Sequence, residues 1–100
     1  MSKKILNDLG IITEEALTEL QKRAPNTSCE CPAHLIKIFE TVRAFTKYQE
    51  NCVDEKPQDE LIHQWLKSSS KTLEHQLSSL IITLARFEGM IDDENNFTEN

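Results

Sequence analysis

Apolar residues recur at intervals of three and four along most of this chain, the spacing of helices that bury one face. The pattern is longest near the C-terminus. Leu66, Ser70, Leu73, Leu77, Leu80, Leu84, Phe87 and Ile91 step by four and three, a heptad seam of the kind that packs helix closely on helix. Leu35, Ile38, Phe39, Val42, Phe45 and Cys52 make a second periodic run, and Ala16, Leu17 and Leu20 a third. Together they predict helices over about 14–24, 32–53 and 57–91.

Punctuation supports these limits. Thr13 is a suitable N-cap, Glu14 and Glu15 suit the positive end of a helix dipole, and Pro25 stops the first helix. Pro32 and Pro57 suit first helical positions. Ile5, Leu6 and Leu9 ahead of Gly10 predict no more than a short helical turn. The segment 54–57 is short enough to force the second and third helices antiparallel. The longer third helix then overhangs the start of the second, and the 25–31 linker returns the first helix to that end. The fold class expected is all-α: a long antiparallel helical hairpin plus a short N-terminal helix, completed into a bundle by a second copy. No internal repeat is evident.

Charge changes the picture at one end only. The 100 residues carry a net charge of −6. Residues 88–100 hold Glu88, Asp92, Asp93, Glu94 and Glu99 without a base, which leaves 11 bases against 12 acids in the rest. A nearly neutral body without a basic stripe gives no grip on phosphates, so direct nucleic-acid binding is not expected. Residues 1–91 are expected to form one domain and 92–100 a disordered acidic tail. The longest apolar run, 77–85, is too short to cross a membrane. Three cysteines without a secretion signal predict thiols in a reducing, cytoplasmic setting.

The candidate chemistry is carried by Cys and His. Cys29, Cys31 and His34 form a Cys-x-Cys-x-x-His run at the mouth of the second helix, with zinc-type donors beside a helix N-terminus. Pairing across the expected hairpin brings His75 near them, giving a candidate metal site of Cys29, Cys31, His34 and His75 for zinc or iron. Cys52 lies too far along the helix to join it. The same pairing sets His63 opposite Tyr48, close to Cys52, as a hydrogen-bonded packing cluster; a metal there would need Asp59 or a second chain. The alternative throughout is that these residues only pack, leaving a structural helical adaptor without metal. No phosphate-binding loop or catalytic constellation is present in the sequence, so no enzymatic activity is expected. The stretch His63-Gln-Trp-Leu-Lys67-Ser68 loosely matches the His-x-x-Lys-Gly of phosphotransfer bundles. Its lysine comes one residue late and Ser68 stands for the glycine, which makes that the least favoured reading.

Three spaced groups resemble a known domain: Cys29-x-Cys31-Pro32-x-His34-Leu35, then Phe45-x-x-Tyr48-x-x-x-Cys52, then Leu61-x-His63-x-x-Leu66. They are similar to a small bacterial domain usually found C-terminal to a MerR-type helix-turn-helix in transcriptional regulators. The likeness covers about residues 29–80. It implies a regulatory or sensory helical module, metal- or redox-responsive through Cys29, Cys31, His34, Tyr48, Cys52 and His63. Gln49 departs from the family's serine, and His75 lies outside its pattern. These residues contain no helix-turn-helix, so transcription regulation would run through protein contacts, with a homodimer as the expected assembly.

Overall fold

A computed structural model describes residues 4–27, 29–51 and 57–98. It is all-helical in its regular elements: α1 (Glu14–Arg23), α2 (Cys31–Asn51) and α3 (Pro57–Phe87), with a 3₁₀ turn over Ala24–Asn26. Among the described residues, β-structure is confined to two isolated bridges. No helix is long and apolar enough to cross a membrane.

Local signals explain the helix ends. Thr13 caps α1, its hydroxyl accepting from the Ala16 amide at 3.2 Å, and Lys22 and Arg23 occupy the last turn. Pro25 lies in the 3₁₀ turn that follows. Helix α3 stops at Phe87, four residues earlier than its periodicity predicts. Gly89 takes φ 76°, its amide donates to Arg86 O, and the Met90 amide reaches back to Ala85 O at 2.8 Å. This is a Schellman cap, which needs a left-handed residue at the position Gly89 fills.

Helices α2 and α3 pack antiparallel, in a register fixed by side-chain bonds. Thr46 Oγ1 donates to Glu74 Oε2 at 2.6 Å and lies within hydrogen-bond distance of Ser70 Oγ at 2.7 Å. Arg43 Nε meets Glu74 Oε1 at 3.3 Å. The expected leucine seam is therefore rotated. Among the residues of α3 whose burial is described, those buried are Ser70, Glu74, Ser78, Ile81, Ile82 and Ala85. Leu73, Leu80 and Phe87 are 49%, 56% and 83% exposed. Small serines let the helices approach closely, and Glu74 must face α2 to reach its partners, so Leu73, Leu80 and Phe87 turn outward while Ser70 and Leu77 of the expected seam stay inside, Leu77 packed against the core.

The apolar core lies at one end of the hairpin. Leu17 and Leu20 of α1, Ile36 and Phe39 of α2, and Ile81 and Ala85 of α3 are buried in one cluster with Ile5, Ile12, Met90 and Ile91. The terminal segments contribute through an unexpected device. Residues 4–13 form a tight hairpin in place of the expected helical turn. Asn7 Oδ1 accepts from the Leu9 and Ile11 amides, Gly10 has φ 74°, and Leu6 bridges Ile12. Residues 89–98 repeat it bond for bond. Asp92 Oδ1 accepts from the Glu94 and Asn96 amides, Asn95 has φ 62°, and Ile91 bridges Phe97. In each copy the closing threonine hydroxyl donates to the carbonyl nine residues back, Thr13 to Lys4 and Thr98 to Gly89, both at 2.6 Å.

The segment expected as an acidic tail is thus folded as far as Thr98. Its aspartates and asparagines are turn formers, and Phe97 packs against the core. Arg23 holds it, donating to Thr98 O at 2.6 Å and stacking 4.8 Å from the Phe97 ring.

Candidate functional site

The Cys29-x-Cys31 run lies where the linker enters α2. The two sulfurs are 2.8 Å apart, and Cys29 Sγ accepts from the Cys31 amide at 3.3 Å. Thr27 pins the approach by donating to Cys29 O at 2.6 Å. Cys29 is half-buried and Cys31 exposed. The Cys31 thiol is pushed above its ordinary pKa, first by the hydrogen bond with Cys29 and then by that sulfur's like charge, with the nearby Glu88 carboxylate adding to it. Both cysteines are thiols, set side by side at the surface.

The other expected donors are not gathered there. His34, one turn into α2, faces solvent with Glu30 at 3.8 Å. His75 is on the far side of α3, its Nδ1 3.0 Å from Leu9 O in the first hairpin. The cause is register. The contacts of Thr46 with Ser70 and of Arg43 with Glu74 slide α3 about two turns from the pairing expected, so His75 stands level with the middle of α2, roughly 12–16 Å along the axis from His34 and Cys31. Cys31 has Glu88 as its neighbour from the end of α3 instead. Among the described residues no three Cys, His, Asp or Glu side chains are grouped to hold a metal ion. The four-residue site of Cys29, Cys31, His34 and His75 is not assembled within one chain.

The second expected cluster also differs. Tyr48 is 64% exposed, so it is not a buried phenol in need of a histidine. His63 is half-buried on α3 and Cys52 lies outside the described residues.

The best-built polar group is one that spacing did not single out. Arg43, on α2, joins every layer of the fold. Its Nε and Nη1 meet Glu74 and Glu14 at 3.3 and 2.9 Å, its Nη2 donates to Ile12 O at 2.5 Å, and its guanidinium lies 4.4 Å from the Phe39 ring. Ser78 Oγ accepts from the Ile12 amide at 3.0 Å. The signal available in the sequence was the four-residue spacing of Ser70, Glu74 and Ser78, a polar stripe within an apolar helix. Every member is held by another protein group, which marks the network as structural rather than chemically poised.

What the hairpin leaves open is apolar. Leu73, Leu80 and Phe87 repeat every seven residues on one side of α3, and Ile38 and Phe45 repeat every seven on α2; all five are exposed. The Leu73–Leu80 side of α3 and the Ile38–Phe45 side of α2 both point away from α1 and the first hairpin, forming one two-helix apolar face. Comparisons with protein-family models, with characterised proteins and with solved structures gave no match.

Proposed function

We propose that this chain is a non-enzymatic regulatory module that acts through protein contacts, and that its first contact is with a second copy of itself. The observation that carries this is the exposed face of Ile38, Phe45, Leu73, Leu80 and Phe87. A contiguous apolar face of two helices is a customary interaction site, and heptad-spaced leucines on antiparallel helices suit a four-helix bundle. A two-fold pairing would set each copy's face on its twin. The test is sedimentation or light scattering on the untagged chain beside a Leu73→Glu, Leu80→Glu variant. A dimer that becomes a folded monomer in the variant supports the reading. A monomer at all concentrations in the unaltered chain rejects self-association and leaves a different protein as the partner.

A second reading concerns what such a module senses. The paired sulfurs of Cys29 and Cys31 favour a thiol response. A disulfide oxidant such as oxidised glutathione would take two electrons and two protons from the two thiols, forming one sulfur–sulfur bond within the chain and leaving as two reduced glutathione thiols. A zinc or iron response at Cys29, Cys31 and His34 would draw its remaining ligands from outside the described residues or from a second chain. This reading agrees with the resemblance to MerR-associated domains, and with a bacterial, cytoplasmic regulator. Zinc titration and thiol counting before and after oxidised glutathione separate the two responses. If neither zinc binding nor thiol loss is seen, the cysteines only pack and the module is a structural adaptor.

A further inference from the structure

On the side of α3 away from the apolar face lies an open groove of about 600 Å³, within the range of small-molecule sites. One wall is the first hairpin, with Ile11 buried at its base and Leu9 exposed at its tip. The other is three turns of α3, presenting Lys67, Ser68, Lys71 and His75. The walls are tied together where His75 Nδ1 meets Leu9 O at 3.0 Å. They also fit tightly, since a Cβ added to Gly10 would lie 2.7 Å from the His75 ring.

The lysines of this groove are not paired with any carboxylate among the described residues. Lys67 and Lys71 are both half-buried, in a chain with six more acids than bases. Glu14, Glu19 and Glu74, by contrast, all lie with arginines. Two adjacent ammonium groups, one helical turn apart beside an apolar wall, match a molecule with one anionic end and one hydrocarbon end. The lysine stems add to the apolar lining while their heads stay at the rim.

We propose that this groove binds an amphipathic monocarboxylate of medium chain length. The carboxylate lies between Lys67 and Lys71, and the hydrocarbon runs over Leu9 and Ile11. The site is separate from the self-association face: Leu73 and Leu80 project from the opposite side of α3.

The probe is sodium decanoate, titrated below its micellar range into the full chain and followed by calorimetry and by amide chemical shifts. Saturable binding is expected, with shifts centred on Leu9, Lys71 and His75. A Lys67→Gln, Lys71→Gln variant should bind on the order of tenfold or more weakly, the loss of about one good charge contact. Decanol, which keeps the chain and lacks the charge, should bind no better to the unaltered protein than decanoate does to that variant. Leu73→Glu, Leu80→Glu should leave decanoate binding unchanged. A Leu9→Asp variant, altered at an exposed turn tip, gives a second reading should the lysine variant lose its fold; it should also weaken binding. The proposal is overturned if decanoate does not bind at millimolar concentration, if decanol binds equally well, if the lysine and Leu9 variants bind normally, or if the shifts cluster at Leu73 and Leu80.

Discussion

Arg43 and Glu74 offer the most direct test of how the hairpin is held. The Glu74 carboxylate is 6% exposed and the Arg43 side chain 14%, so the charges meet away from bulk water. Replacing Arg43 by Met keeps much of the aliphatic stem and the contact with Phe39 but leaves the carboxylate with only the Thr46 hydroxyl. Breaking a buried pair from one side costs about 3–5 kcal/mol, because a charge remains uncompensated. The lost pair with Glu14 adds little, since Glu14 is 68% exposed. For a chain of this length stability totals about 5–15 kcal/mol, and each kcal/mol moves the melting temperature by about 4–8 °C. Arg43→Met should therefore melt at least about 12 °C lower. Glu74→Leu should cost less, about 1–3 kcal/mol, because Arg43 keeps the Ile12 carbonyl and solvent. The double variant should return to within about 1 kcal/mol of the unaltered chain, since an apolar pair of similar volume is often as stable as a buried ion pair. Urea unfolding of all four proteins measures this cycle. Additive losses, with a coupling below about 0.5 kcal/mol, would show that the two side chains do not act as a pair and refute the reasoning.

Three further outcomes follow from particular contacts. Gly89→Ala meets open space and suffers only its positive φ, a cost of about 1 kcal/mol, whereas Gly10→Ala adds a collision with the His75 ring and should cost more; His75→Ala should recover that excess, read from thermal melts. Arg23→Ala removes the clasp on the second hairpin, so amide exchange at Glu94 and Asn96 should quicken while that of α3 stays slow. Cys29→Ser removes the sulfur that holds the Cys31 proton, so the Cys31 pKa falls, its thiolate fraction at neutral pH rises, and iodoacetamide should modify it faster than in the unaltered chain.

The helices were legible where their ends carried chemistry of their own: Thr13 before two glutamates, Pro32, and Pro57; the turn expected over 54–56 lies outside the described residues. Gly89 was an equally legible stop, masked by an apolar period that runs through it to Ile91. The leucine period of α3 was real, but periodicity identifies a face and not what it faces. Ser70, Glu74 and Ser78 are as regularly spaced as the leucines. Only their long-range bonds, to Thr46, Arg43 and the Ile12 amide, decide which stripe turns inward. The paired hairpins were hidden for another reason. Asn7 and Asp92, Gly10 and Asn95, and Ile12 and Phe97 are equivalent in backbone role while differing in identity, so the repeat is one of turn chemistry rather than of sequence. His75 is not beside the cysteines for a reason of register: two turns of helical slide, invisible to spacing within either helix, set it at Leu9.

The inward serines and glutamate and the outward leucines belong to one arrangement. Turning α3 by a single residue would bring the leucine stripe inward, a gain of about 1.5–3 kcal/mol for each leucine fully buried. It would also expel Glu74 from Arg43 and Thr46, and Ser78 from the Ile12 amide, freeing the first hairpin from α3. A lone chain therefore carries two competing faces on one helix. Covering the leucines with a second copy satisfies both at once, because the apolar area is buried without disturbing the polar stripe. Association and the Arg43 network should then reinforce each other. If the Leu73→Glu, Leu80→Glu variant is a monomer, its leucine stripe has lost its pull inward, so α3 should keep its present rotation and the Ile12–Ser78 bond should remain. Slow exchange of the Ile12 amide in that monomer would show the polar stripe to be sufficient; fast exchange would show that the network depends on the second copy.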